Sequence, residues 1–298
     1  MTPLPAGEAM PNVLSVTSRK NRLLLLVCAM LAFANVGCMI DEHVQAEEDF
    51  RQQAPLTPGG SITVENGRGD LRLEGSDSTE VSLEAHKFFE GSEFDRERWM
   101  RETKIRFEGD EHHLFIKVEY PVGFHWGFFN GNHGVNLIVR APHHLSANLK
   151  DDRGRVRVSD IAGKLEIGSN RGDVEITNLD GELRVRGDRG NLNVRNSSIR
   201  DGVRVSLDRG SVDMYLKQFA GESDLEVSRG NVTMTIPKNS AFTLDAERSR
   251  HSSFHTDFGL LAPGGFNSGR VQGAVNGGGP ALRLRADRGS VWLRAGME

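Results

Sequence analysis

The chain has 298 residues, of which 34 are glycine, 7% are aromatic and 26% are charged. This composition is typical of a globular protein, and the length allows one large β domain or two ordinary domains. The formal net charge is -4, and residues 151–298 contain 22 Lys and Arg against 20 Asp and Glu, a balance of +2. The sequence therefore lacks the basic surface expected of a nucleic-acid-binding protein, and we predict no nucleic-acid partner.

Residues 1–37 have the form of an export signal. A basic segment at 19–22 precedes an apolar run at 23–33, and small residues follow that run. The apolar run is too short to span a membrane as a helix. The pattern predicts that the protein is exported from a bacterial cytoplasm to the cell envelope.

Two cleavage sites fit this signal. Cleavage after Ala34 fits the rule for ordinary signal peptidase, whereas the Gly before Cys38 resembles a lipobox, in which the cysteine becomes the lipidated N-terminus. Because Cys28 lies inside the apolar run, Cys38 would be the one cysteine of the mature chain, where an unpaired thiol is unfavourable. We favour a lipoprotein attached to the membrane through Cys38, followed by a polar tether over residues 38–58, and cleavage after Ala34 stays open.

Residues 59–296 are predicted to form one β domain, whose first part, residues 59–142, is irregular. Alternating apolar residues in this part predict strands around an Arg-Gly turn, and residues 92–101 predict a short helix with a serine cap. The aromatic segment at 124–129 is interpreted either as a binding surface or as a cover for the open end of a repeat array. We favour the cover.

Residues 143–296 carry regular repeats, because an Arg-Gly pair recurs at an almost constant interval along this part of the chain. Apolar and polar residues alternate on both sides of each pair, and this period of two predicts two strands per repeat. Asp, Asn or Ser before the arginine and Gly after it favour a tight turn between those strands. Residues 262–280 are predicted to be a Gly-rich excursion before the final strand pair. The pairs begin at Arg153, Arg171, Arg189, Arg209 and Arg229.

The repeats predict an all-β fold in the form of a β-solenoid, built of two-strand turns that recur roughly every 18 to 20 residues. One repeat buries too few aliphatic side chains to offset the entropy of ordering its backbone, so neighbouring repeats must share apolar faces and backbone hydrogen bonds. The alternative is an antiparallel β-sandwich with short hairpins. We favour the solenoid because turn chemistry recurs together with the alternation.

The repeats resemble a bacterial family of unknown function that is known as "putative adhesin". The matching segments are 171–176 (RGDVEI), 232–237 (VTMTIP) and 277–291, and the likeness runs over roughly 60–296. The resemblance implies a cell-envelope protein of repeated strand pairs, with no catalytic residues to carry over. The sequence departs from the family at the Arg before most turn glycines, where the family pattern favours Ser or Thr.

The turn arginines form the candidate ligand edge of the array. If the repeats stack one strand spacing apart, about 4.8 Å, these side chains lie in one column, and their guanidinium groups could bind phosphate or carboxylate. Asp152, Asp188 and Asp208 precede three of them and can offset the charge. We therefore favour a neutralised structural column. The candidate residues are Arg153, Arg171, Arg189, Arg209 and Arg229.

Two turns, at 68–70 and 171–173, spell Arg-Gly-Asp, the tripeptide that animal integrins recognise. The third position holds Asn, Ser or Arg in the other turns. A shared turn position filled by such different residues favours turn chemistry over recognition.

The sequence predicts no metal site, no cofactor and no enzymatic activity. Adjacent histidines on a strand point to opposite faces, so at most one of each pair could serve one metal site. The outward positions four and six residues after each turn arginine contain no two acids in neighbouring repeats, and no nucleophile or phosphate-loop signature is present. Six of the ten histidines cluster along the chain, at His112, His113, His125, His133, His143 and His144.

The predicted function is that of a non-enzymatic cell-envelope lipoprotein. It would be held to a membrane by its lipid anchor and would bind an envelope polysaccharide or an envelope protein, in adhesion or as a scaffold. One alternative is a carbohydrate-active β-helix enzyme, which would gather acids on an outer face. Another is an accessory protein of envelope stress or signalling.

Overall fold

The computed structural model describes residues 44–121, 123, 131–260 and 269–296. These residues form strands almost throughout, so the protein is nearly all-β. Over the same ranges, no helix is long and apolar enough to cross a membrane. The fold is therefore organised by strand pairing.

The strands, in chain order, cover both the irregular and the regular parts of the predicted domain. The first nine are β1 (Val44–Pro55), β2 (Ser61–Asn66), β3 (Leu71–Ser76), β4 (Glu80–Gly91), β5 (Lys104–Gly109), β6 (His113–Glu119), β7 (Gly131–Pro142), β8 (Ser146–Arg153) and β9 (Val156–Ser159). The others are β10 (Ala162–Arg171), β11 (Val174–Thr177), β12 (Asp180–Arg189), β13 (Leu192–Arg209), β14 (Val212–Phe219), β15 (Ser223–Arg229), β16 (Val232–Pro237), β17 (Phe242–Thr256), β18 (Arg270–Val275) and β19 (Ala281–Gly296).

One helix, α1 (Glu93–Glu102), interrupts the strands of the first part. It begins at Ser92, whose Oγ accepts a hydrogen bond from the backbone N–H of Asp95 at 3.2 Å. Trp99 of α1 is fully buried and packs against the rings of Phe89 and His133. The predicted helix at 92–101 is confirmed to within one residue at each end.

The turns divide the sheet into two ladders. Ladder A holds the strands that precede the turns, in the order β5, β6, β2, β8, β10, β12, β13, β15, β19, β17 and β18. Ladder B holds the strands that follow the turns, in the order β1, β4, β7, β3, β9, β11, β13, β14, β16, β19 and β17. The long strands β13, β17 and β19 pass from one ladder to the other.

Strands of the regular repeats pair in parallel, and each residue pairs with its equivalent in the next repeat. Leu165 of β10 pairs with Leu183 of β12, and Val205 of β13 pairs with Leu225 of β15, which are the same steps that separate the Arg-Gly pairs. A hairpin sandwich would instead pair such neighbours antiparallel. The pairing is therefore that of a β-solenoid-like repeat.

The core lies between the two ladders. Every second residue of a strand points inward, as the sequence alternation predicts, and Leu183, Val185, Leu192 and Val194 are each at most 1% exposed. Equivalent residues of successive repeats stack on one another because the register is parallel. The outward positions of each strand are left to form the two outer faces.

The turn glycines form a close-packed column at one corner of the repeats. At Gly190, φ is 143°, and an added Cβ would lie 1.9 Å from the carbonyl oxygen of Gly172 in the neighbouring repeat. At Gly210 the corresponding distance to the oxygen of Gly190 is 1.8 Å. Only glycine fits these positions, both for its backbone conformation and for the space available.

At the two ends, the order of strand pairs in space differs from their order in the chain. The pair β2 and β3 lies between β6/β7 and β8/β9. The last strand, β19, lies between β15/β16 and β17, so that Arg229 pairs with Arg288 instead of with a residue of β17. The spacing of the Arg-Gly pairs does not reveal either insertion.

Two segments in which the sequence predicted no strand contain one each. The predicted tether, residues 38–58, is wrong from Val44 onward, because β1 pairs antiparallel with β4. The predicted excursion, residues 262–280, contains β18, which pairs antiparallel with β17. Each of them pairs with one neighbour among the described strands. Most side chains of β1 are exposed or half-buried and its apolar alternation is weak, whereas every second residue of β18 is buried.

Candidate functional site

The predicted arginine column exists in the structure. Arg171 pairs in register with Arg153 and with Arg189, and Arg209 pairs in register with Arg189 and with Arg229. All five side chains are exposed. The column continues beyond the predicted set through Arg288, which pairs with Arg229.

The acids beside this column neutralise it only in part. The Arg189 Nε lies 4.0 Å from a carboxylate oxygen of Asp188, and the Arg209 Nε lies 3.8 Å from one of Asp208. Asp152 instead accepts a hydrogen bond from the side-chain amide of Asn170 at 2.7 Å. The other three arginines of the predicted set form no ion pair within the part of the chain that the structure describes. The balanced column stays a prediction for these three positions, which are Arg153, Arg171 and Arg229.

The aspartates of the Arg-Gly-Asp segments are bound within the repeats. The Asp173 carboxylate accepts a hydrogen bond from the backbone N–H of Asn191 at 2.9 Å and one from its side-chain amide at 3.1 Å. The side-chain oxygen of Asn191 in turn accepts from the backbone N–H of Ser211 at 3.0 Å. Asp70 likewise accepts from the backbone N–H of Arg155 at 3.1 Å. These contacts give the third position of the turn a structural role.

An open groove crosses the outer face of ladder A. Its volume is about 460 Å³, and it lies over β8, β10, β12, β13 and β15. A volume of this size falls within the range of small-ligand sites. Most of its outward-facing residues form two rows that run across the strands, and Asp152 and Asn170 lie beyond the second row. The first row is Asn148, Glu166, Arg184, Arg204 and Asp224, and the second is Lys150, Gly168, Arg186, Ser206 and Glu226.

The second row explains why the groove is open. Arg186 pairs in register with Gly168 on one side and with Ser206 on the other, so the long side chain stands between two short ones. An added Cβ at Gly168 would meet only Lys150 Cγ, at 3.9 Å. The φ of Gly168 is not in the left-handed region, in contrast to Gly190. Gly168 therefore creates space in this face rather than satisfying a strained turn.

Arginines lie at the centre of the groove and acids flank them, while Lys150 at one end of the second row donates to Glu65 at 2.9 Å. Arg184 and Arg204 are register partners on β12 and β13, and they lie between Glu166 and Asp224 in the first row. The Arg184 Nε donates to Glu182 at 2.7 Å. Arg186 and Arg204 are exposed and form no ion pair with any described residue, so their guanidinium groups can bind a ligand.

Sequence reasoning did not single out these groove arginines. It placed the ligand edge at the arginine that repeats in every turn, whereas the position shared by Arg184 and Arg204 holds arginine in only some of the repeats. Superposing the repeats on their Arg-Gly pairs would have brought them together, because Arg184 and Arg204 then fall on the same position.

Asp151, at the end of β8 beside the groove, is a buried acid. The residue is 2% exposed, and neither carboxyl oxygen has a hydrogen bond of normal geometry to another described residue. Burial, with the neighbouring charges of Asp152 and Asp70, raises the pKa of Asp151 to about 8, and the nearby Asn66 side chain opposes this rise only weakly. The register partner Ser169 is also buried and has no partner for its Oγ among the described residues. Asp151 and Ser169 are thus neighbouring buried polar side chains, and neither has a normal hydrogen bond to another described residue.

The described histidines serve separate contacts. His113 Nδ1 lies 2.7 Å from Ser61 Oγ, and His143 Nδ1 lies 2.7 Å from the backbone oxygen of Asp160. His133 is buried, which lowers its pKa to about 4, and its Nε2 accepts from Arg68 at 3.1 Å. No group of three or more His, Cys, Asp or Glu in the described ranges could hold a metal ion.

Several predictions fall on residues outside the described ranges. The export signal at 1–37 with the alternative cleavage site after Ala34, the lipidation site Cys38, and the aromatic segment at 124–129 with His125 lie there. They stay predictions.

The ladders, the turns and the open face define a class, that of β-solenoid-like repeat proteins. The model of the Toastrack DUF4097 family matches residues 143–293, just over half of the chain. The protein therefore belongs to this family. The match confirms the resemblance that the repeats indicated, and no curated protein matches the chain.

Several solved structures are similar to this chain. A "putative cell adhesion protein" from Clostridium sporogenes is 12% identical, with a TM-score of 0.38, over 84% of this chain and 100% of its own. A "putative adhesin" from Bacteroides fragilis is 12% identical, with a TM-score of 0.38, over 83% of this chain and 97% of its own. A "putative lipid binding protein" from Parabacteroides distasonis is 13% identical, with a TM-score of 0.31, over 84% of this chain and 97% of its own.

Proposed function

We propose that the protein is an exported cell-envelope protein that acts by binding and not by catalysis, in adhesion or as a scaffold. The groove of about 460 Å³ on ladder A carries this proposal. Its open sides allow a long polymer or an extended partner to lie across several strands. The export signal and the cysteine that follows it support attachment to the cell envelope through Cys38.

The arrangement of acids in the groove favours binding over hydrolysis. Glu166 and Asp224 stand on strands three spacings apart, about 14 Å, which exceeds the ~5–9.5 Å between the carboxyl groups of glycoside hydrolases. Asp224 and Glu226 are two residues apart on β15, and so lie on the same side of the groove. Neither pair can flank one glycosidic bond from opposite sides.

Co-sedimentation with purified, insoluble envelope material tests the proposal. The wild-type protein should pellet with the material, and Arg186→Gln/Arg204→Gln should largely remain in solution because the centre of the groove has lost its two unpaired cations. The matched control is Arg51→Gln/Lys104→Gln, which removes two exposed charges from the edge strands β1 and β5. Equal pelleting of all three proteins would contradict a role for the groove.

Two further measurements test the remaining parts of the proposal. Release of reducing ends from envelope polysaccharide during incubation would show catalysis and would contradict the binding role. Fractionation tests the anchor: the wild-type protein should partition into detergent, and Cys38→Ala should partition into the aqueous phase. An unchanged partition of Cys38→Ala would refute lipid attachment at this residue.

A further inference from the structure

We infer that the groove on ladder A binds an acidic polysaccharide through the carboxylate groups of its sugars. The inference rests on the proposed binding function and names the chemistry of the ligand. It is carried by the distribution of charge across the groove and by the space beside Arg186.

The centre of the groove suits a carboxylate. Arg184 and Arg204 are register partners on neighbouring strands, about 4.8 Å apart, and no acid stands between them. Arg186 lies in the adjacent row on the same strand as Arg184. Planar guanidinium groups bind carboxylates through two parallel hydrogen bonds. A carboxylate placed here would also reduce the repulsion among three neighbouring cations.

The sides of the groove suit hydroxyl groups. Glu166 flanks the arginines on one side, and Asp224 and Glu226 flank them on the other. Carboxylates accept hydrogen bonds from sugar hydroxyls, but they repel a chain whose charges are closely spaced and which has no hydroxyl groups to donate, such as a polyphosphate. A sugar that presents one carboxylate and several hydroxyls matches both the centre and the sides.

The size of the groove indicates an oligomer. From Glu166 to Asp224 the groove crosses three strand spacings, about 14 Å, which is longer than one sugar ring. The gaps over Gly168 and Ser206 leave room on both sides of Arg186. The groove therefore accommodates a short stretch of chain rather than a single sugar.

Isothermal titration of the full chain tests the inference. The probes are tetramers of galacturonate and of mannuronate, with maltotetraose as the neutral probe and a short polyphosphate as the phosphate probe. At least one uronate tetramer should bind saturably, and more weakly as salt is raised. Maltotetraose and polyphosphate should bind at least about tenfold more weakly. Maltotetraose has no carboxylate for the arginines, and polyphosphate has no sugar hydroxyls for the flanking acids.

Two groove variants and one control test whether the uronate tetramer binds in the groove. Arg186→Gln/Arg204→Gln should weaken uronate binding by about tenfold or more, because charge-assisted hydrogen bonds are lost. Gly168→Gln should weaken it without changing any charge, because the new side chain fills the gap beside Arg186. Its backbone conformation and open surroundings permit the substitution. Arg51→Gln/Lys104→Gln should bind as the wild-type protein does.

The outcomes separate this inference from the proposed function. Absence of uronate binding, tighter binding of polyphosphate, or equal binding by all variants would overturn the inference. If the groove variants still lose co-sedimentation with envelope material in that case, the proposed function stands with a different ligand. If co-sedimentation also fails to respond to the groove variants, both are wrong.

Discussion

Replacement of Asp151 by Asn should make the protein more stable at alkaline pH. The carboxyl of Asp151 is 2% exposed and has no hydrogen bond of normal geometry to another described residue, so its charged form is poorly solvated. Its pKa is raised from 3.8 to about 8 in the folded protein. Between these two values the unfolded chain has lost this proton and the folded protein keeps it. The contribution of Asp151 to stability is therefore complete below pH 3.8 and is lost as the pH rises to about 8.

The size of the effect follows from the shift. One pKa unit corresponds to ~1.4 kcal/mol, so a shift of about four units sets an upper limit of ~6 kcal/mol. Structural relaxation and entry of water around the charged carboxylate reduce this limit, and we expect a difference of ~2–4 kcal/mol at pH 8.5. The asparagine variant has no charge to bury and should lack this part of the pH dependence.

Urea unfolding of both proteins at pH 4.5, 6.5 and 8.5 measures the effect. The free energy of unfolding should differ little at pH 4.5, and the variant should exceed the wild-type protein increasingly at the two higher values. Asp224→Asn, which removes an exposed carboxylate from the same ladder, is the control for loss of one acid. A constant difference between wild type and Asp151→Asn at all three pH values would refute the reasoning.

Three further predictions concern stability and can be measured by the same unfolding assay. Gly190→Ala should destabilise the protein by at least ~3 kcal/mol, because the added Cβ would lie 1.9 Å from a backbone oxygen at a φ of 143°. Gly168→Ala, the control, should change stability by less than ~1 kcal/mol. Similar losses in the two variants would contradict the argument from the glycine column. Ser169→Ala should be neutral or stabilising by up to ~1 kcal/mol, since it removes a buried hydroxyl that has no partner among the described residues, and a clear loss would show that this hydroxyl is satisfied. Leu225→Ala should cost ~2–5 kcal/mol because the side chain is fully buried in the core, and a loss below ~1 kcal/mol would contradict that packing.

The regular part of the fold could be predicted because its two signals are local. Alternation identified the strands on both sides of each turn, and the recurrence of Arg171, Arg189 and Arg209 indicated the register in which they stack. The glycine after each arginine indicated a turn. The structure adds that this glycine is also packed against the next repeat, a contact that a single repeat cannot reveal.

The parts that could not be predicted depend on neighbours that are distant in sequence. β1 pairs with β4 alone among the described strands, and it lacks the apolar alternation that marks the inner strands. The place of β19 is set by pairing with β15 and β17, and nothing local encodes it. The groove arises in the same way, because Gly168, Arg186 and Ser206 become neighbours only when three repeats are stacked.

The position of β19 has a consequence for how the protein folds. Because β19 pairs with β15 and β16 on one side and with β17 on the other, both ladders are joined at that end by a strand that follows all three of them in the chain. Contacts of such long sequence separation form slowly, and β17 cannot reach its final neighbour before β19 has arrived. Before β19 pairs, the facing edges of β15, β16 and β17 therefore stay unpaired. β19 thus completes the pairing of both ladders. Deletion of residues 281–298 should therefore also unfold β17, which would lose its parallel partner.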